Sequence, residues 1–184
     1  HAIDRPPIRW DVELARWFDE QFTPLEAHRT YSRMSRRQNS CPDIPRPAWH
    51  HPEEPAEQRI FGVLLDTSGS MERALLAAAL GAVASYSRAR DVEHVRVVFC
   101  DATAYDQGIM HPDEISGVVK IRGRGGTVLQ PGIDLLDDDP KFPKNAPLLI
   151  ITDGGCDRLT LRGRDHAYLI PHGSHLPFTP KGPV

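Results

Sequence analysis

Three largely apolar runs constrain the fold of this chain more than any other feature: Ile60 to Leu65, Val95 to Cys100, broken by Arg96 alone, and Leu148 to Thr152. A strand with one face in water alternates apolar and polar residues, whereas a strand covered on both faces reads as a continuous run. Between the first two runs, Glu72 to Arg88 has helical character. Its core, ALLAAALGAVASY, is apolar nearly all round and calls for deep packing. Strands alternating with helices imply an α/β domain, a doubly wound, mostly parallel sheet with helices on both faces. Thr103 to Met110 is expected as a hairpin partner of the second run, and Val118 to Arg122 as a short strand before the glycine-rich GRGG. Leu129 to Leu136 reads as a short helix with Pro131 near its start, and Ala167 to Ile170 as a weaker fourth strand.

Composition shifts near residue 58, dividing the chain into an N-terminal part, 1–58, and an α/β part, 59–184. In the first, Asp11 to Phe22 is an amphipathic helix, with Leu14, Trp17, Phe18 and Phe22 at helical spacing and Thr23-Pro24 ending it. An Arg- and Pro-rich stretch without periodicity follows and reads as an extended arm or linker. Its arginines, among them Arg29, Arg33, Arg36 and Arg37, are read as a solvated or domain-packing face rather than a nucleic-acid contact. The opening HAIDRPPIRW has neither an initiator Met nor the apolar core of a signal peptide, so a piece of a longer chain is expected.

With a formal net charge of −3 over 184 residues, bulk electrostatics gives no argument for nucleic acid or a membrane surface. No run approaches the ~20 apolar residues that span a bilayer. Cys41, Cys100 and Cys156 are far apart and form no C-x-x-C pair, which argues against a disulfide framework or a thiolate zinc site and for a cytoplasmic setting. His50 and His51 near Cys41 lack a fourth ligand at suitable spacing.

The chemistry concentrates where the apolar runs end. FGVLLDTSGSM carries Asp66, Ser68 and Ser70 at alternating positions, so their side chains can converge, and Gly69 lets the backbone turn tightly. On their own these residues fit a helix cap, a phosphoryl-transfer loop or a metal cradle. Two further polar groups fall at equivalent places, Gly125-Gly126-Thr127 and Thr152-Asp153-Gly154. Ligands of open α/β sheets bind outside the carboxyl ends of the strands. Carboxylates and hydroxyls are hard donors, suited to Mg²⁺, Mn²⁺ or Ca²⁺ rather than Zn²⁺.

The D-x-S-x-S of Asp66, Ser68 and Ser70, the later Thr127, and Asp153 after an apolar strand resemble the metal-ion-dependent adhesion site of the von Willebrand factor type A (VWA) domain. The resemblance implies that Ser68, Ser70 and Thr127 bind the metal through hydroxyls, and that Asp66 and Asp153 ligate it directly or through water. A carboxylate of a partner protein would fill the open coordination position. RRQNSCPDIPRP, RGRGGTVLQPGIDLL and LLIITDGGCDRL further resemble a bacterial branch of VWA-like domains found C-terminal to metallopeptidase-like domains. That branch implies a MoxR-type AAA+ ATPase as partner. No H-E-x-x-H occurs in this sequence, so no peptidase activity is assigned to it. After Asp153 only about thirty residues remain, so a VWA- or Rossmann-like sheet is expected to be shortened on that side, with the N-terminal arm over its exposed edge.

The competing class is a Mg²⁺-dependent phosphohydrolase using Asp66 as nucleophile. Such an enzyme needs a second acid two residues later to protonate the leaving group, and that position is Ser68. GRGGT lacks the lysine of a GxxxxGK[ST] phosphate loop. The expectation is therefore a binding module and not an enzyme.

Overall fold

The computed structural model describes residues 10–22, 28–33, 46–50, 59–69, 73–118 and 127–184. Helix α1 (Trp10–Gln21) is followed by a hairpin of β1 (His28–Arg33) and β2 (Arg46–His50). Strand β3 (Ile60–Asp66), helix α2 (Arg73–Ala89) and strand β4 (His94–Cys100) come next, then β5 (Ala104–Met110). A 3-10 turn at Pro112–Glu114 leads into the short helix α3 (Ile115–Val118). Helix α4 (Gln130–Asp138) and strands β6 (Leu148–Ile151) and β7 (His166–Leu169) complete the order.

Two of these elements differ from the sequence expectation. Part of the Arg- and Pro-rich stretch folds back on itself, with β1 and β2 antiparallel and His28 opposite His50. Val118 closes helix α3 rather than opening a strand; the rest of the expected strand, and Gly125 and Gly126, lie outside the described residues.

The main sheet has five strands in the order β5-β4-β3-β6-β7. Strands β4, β3, β6 and β7 run parallel, and β5 turns back antiparallel at one edge. Every residue of β3 is buried, as its unbroken apolar run requires. Its side chains alternate between two cores. Phe61, Val63 and Leu65 pack with Leu76, Leu80 and Val83 of α2 and with Leu14, Trp17 and Phe18 of α1. Ile60 and Leu64 face the other way, with Leu129, Ile133 and Leu136 at and within α4. Helix α4 can lie this close because Gly132 sits over Leu64, where any Cβ would collide with its side chain. On the opposite face, Phe18 meets Phe61 edge to face at 5.3 Å between ring centroids. Helix α1, upstream of the compositional shift, thus shares the α/β core.

The sheet is short beyond β6, as expected, but the segment hydrogen-bonded to its edge is C-terminal. The Tyr168 amide on the outer side of β7 donates to the Pro183 carbonyl at 2.8 Å. Phe178 packs edge to face on Tyr168, and Leu176 joins the same core. This irregular segment supplies some of the cover that a further helix and strand would give. The loops around it are pinned by Arg164, whose buried guanidinium donates to the Pro143 and Ala146 carbonyls, pairs with Asp137 and lies 4.6 Å from the centre of the Phe142 ring. Among the described residues, no helix is long and apolar enough to cross a membrane.

Candidate functional site

The chain leaves β3 to build β4 and β5 on one side, then returns to build β6 and β7 on the other. The strand order therefore reverses between β3 and β6. In doubly wound sheets this switch point opens a crevice at the carboxyl ends of the two strands. Asp66 ends β3, and Thr152 and Asp153 follow β6, whose Ile151 lies opposite Leu65. The apolar pattern thus delivers the polar residues to the switch point of the sheet.

Asp66 is fully buried. Its Oδ1 accepts from the Ser68 amide and its Oδ2 from the Thr152 hydroxyl, each at 2.8 Å. Thr152 Oγ1 in turn accepts from the Gly154 amide. Burial pushes the Asp66 carboxyl above its ordinary range. The Ser68 amide and hydroxyl and the Thr152 hydroxyl oppose that rise, and the nearby Asp153 carboxylate adds to it. Among the described residues, Asp66 forms no ion pair with a basic side chain. A buried carboxylate beside a second acid favours a cation, and hydroxyls are the donors around it.

Thr127 arrives from the other side. It forms an isolated parallel bridge with Cys156, three residues beyond Asp153. The next amide, Val128, donates to the Asp101 carbonyl at 2.7 Å, just past the end of β4. Thr67 closes the gap between β3 and β4, its amide donating to the Cys100 carbonyl at 2.9 Å. The strand-end groups of β3, β4 and β6 are thereby linked through backbone hydrogen bonds, with Thr127 at the same end of the sheet.

Asp153 is partly exposed, and its Oδ1 accepts from the Gly155 amide at 2.9 Å. Gly154 has φ of +92°, and a Cβ there would lie 2.6 Å from the His175 carbonyl oxygen. Glycine is thus required twice over, by its conformation and by the C-terminal segment against it.

Of the five residues expected to hold a metal, Asp66 and Ser68 are in direct contact, and Asp153 is close enough to act on the Asp66 carboxyl. Thr127 is carried to the same end of the sheet, and Ser70 lies outside the described residues. Thr152, which bonds directly to Asp66, was left out of the expected ligand set. Its signal was its place as the polar last residue of an apolar run, in line with Asp66 at the end of the neighbouring strand. Among the described residues, no three His, Cys, Asp or Glu side chains gather into a metal-binding group. The donors here are two carboxylates supplemented by hydroxyls, a set that suits a hard divalent cation. Burial raises Cys100 and Cys156 to about 11 each, so both stay thiols at neutral pH and are poor ligands for such an ion.

A family model described as VWA-like domain (DUF2201) matches residues 61–156, from the second residue of β3 to the bridge partner of Thr127. No curated protein matches the chain.

Proposed function

Since the chain belongs to the VWA-like domain family, we propose that it is a protein-binding module whose strand-end loops hold Mg²⁺, Mn²⁺ or Ca²⁺ and present it to a carboxylate of a partner protein. The observation that carries this reading is Asp66, buried at the switch point, close to Asp153 and without a basic partner among the described residues. Asp66, Ser68, Ser70, Thr127 and Asp153 would hold the ion. When bound, the cation supplies the positive charge that attracts a partner's acidic side chain. Thr152 and the Ser68 amide meanwhile fix the Asp66 carboxylate in one orientation.

The finer parts of the proposal follow from the family resemblance. The partner is an acidic protein surface, with a MoxR-type AAA+ ATPase as the first candidate. The chain works as the C-terminal part of a larger bacterial, cytoplasmic protein that carries a metallopeptidase-like domain. Binding is favoured over phosphoryl transfer because a serine, Ser68, stands where a leaving-group acid is needed. Capture of the candidate ATPase by the immobilised chain in Mg²⁺, lost in EDTA and in Asp66→Ala, is the expected result. Equal retention in EDTA and by the variant would contradict a metal-bridged contact. Mg²⁺-dependent phosphate-ester hydrolysis lost in Asp66→Asn would replace the binding reading with the enzymatic one.

A further inference from the structure

The N-cap residue of helix α4 makes no side-chain capping hydrogen bond. Leu129, at the N-cap of α4, has helical dihedrals and an apolar side chain, so the first turn of the helix needs an outside acceptor. Asp157 supplies it, its Oδ1 accepting from the Leu129 amide at 2.7 Å. One residue on, Gln130 locks onto Thr160. Its Oε1 accepts from the Thr160 amide at 2.8 Å, and its Nε2 donates to the Thr160 carbonyl at 3.2 Å. With the Thr127–Cys156 bridge, residues 127–130 are laced along residues 156–160, the segment that continues directly from Asp153.

We infer that Asp157 is a positioning residue for the metal site, holding the Thr127 loop in register with the Asp153 loop and acting through Thr127 rather than as a ligand. The inference rests on the metal-site reading above. It assigns to a residue resembling an ordinary turn acid the task of coupling two arms of the site. Only the acceptor oxygen is needed for this, so the charge of Asp157 is dispensable and its hydrogen bond is not.

The test is Mn²⁺ affinity by calorimetry on the full chain, with amide hydrogen exchange at Leu129 measured in chelator. Removing a partner that orients a ligand lowers metal affinity by about 10- to 100-fold. Asp157→Ala is expected to weaken Mn²⁺ within that range and to speed exchange at Leu129. Asp157→Asn, which keeps the acceptor, is expected to stay near the parent in both. In a Thr127→Ala background, Asp157→Ala should cause no further loss, since the residue through which it acts is gone. Equal weakening by Asn and Ala would overturn the inference in favour of a charge effect, and additive losses in the double variant would overturn it as well. A parent chain that takes up no Mn²⁺ would overturn the metal reading and this role together, whereas the other two contrary outcomes leave the metal reading standing.

Discussion

Thr152 donates its hydroxyl to Asp66 at 2.8 Å across the line where the strand order reverses. The bond extends the β3–β6 pairing by one side-chain link, from the last residue of β3 to the residue directly after β6. Both residues are fully buried. Thr152→Val keeps the shape and removes the donor, leaving a buried carboxylate oxygen without its partner. Such a loss costs about 1–3 kcal/mol. A fall of that size in urea-unfolding stability is expected; an unchanged midpoint would mean that Asp66 finds a substitute donor.

Asp66 itself is expected to oppose stability when no cation is present. A carboxyl whose folded pKa lies above its unfolded value keeps its proton in the native state after the unfolded chain has lost it. The native state is therefore penalised as pH rises through the folded pKa, by about 1.4 kcal/mol for each unit of elevation. Asp66→Asn removes the charge and keeps the shape. At neutral pH in chelator, its thermal midpoint is expected to equal or exceed that of the parent. With divalent cation in excess, only the parent should gain stability, by about 2.7 kcal/mol at a hundred times Kd. A variant that is less stable in chelator and still stabilised by the cation would contradict this assignment.

Arg96 offers a contrasting carboxylate. Its guanidinium is buried in β4 and grips Asp106 of β5 with two bonds, of 2.5 and 2.8 Å, while also reaching Asp139. The Arg96 hydrogen bonds hold the Asp106 carboxyl below its ordinary range, against a smaller effect of burial. With the folded pKa depressed, the stabilisation is fully present above the unfolded value and is lost as pH falls through the folded one. Asp106 is 44% exposed, so solvent screens the pair and its contribution is below about 1 kcal/mol. Asp106→Asn is expected to cost that much at pH 7, with the difference from the parent shrinking in acid. A difference that grows on acidification would reverse the sign.

Deleting residues 1–58 would strip α1 from the sheet and uncover Phe61, against which Trp17, Phe18 and Phe22 pack. An exposed apolar face of this kind drives association. Light scattering is expected to show aggregation of 59–184 at concentrations where the full chain is monodisperse. A cooperatively folding, non-aggregating 59–184 would contradict the packing role given to α1.

The sequence made the inner strands plain because burial on both faces leaves few polar residues to interrupt them: none in Ile60 to Leu65, and Arg96 alone in Val95 to Cys100. Asp66, Ser68 and Asp153 were legible for a related reason: polar residues directly after a buried strand must lie at the end of the sheet. Thr152 and Asp157 were obscured because their meaning is relational. A hydroxyl becomes a carboxylate's partner, and a turn acid a helix cap, only once β3 lies beside β6 and α4 against the 156–160 segment. The C-terminal cover on the β7 edge went unexpected for the same reason. A single bond from Tyr168 to Pro183, with no periodic pattern around it, leaves little trace in sequence.

The central claim is that Asp66 anchors a divalent-cation site. Calorimetric titration of the full chain with Mn²⁺, beside the Asp66→Ala and Ser68→Ala variants, tests it most directly. One equivalent bound by the parent, with no measurable binding by Asp66→Ala and weakened binding by Ser68→Ala, is the predicted result. No binding by the parent, or equal binding by the parent and Asp66→Ala, would contradict it.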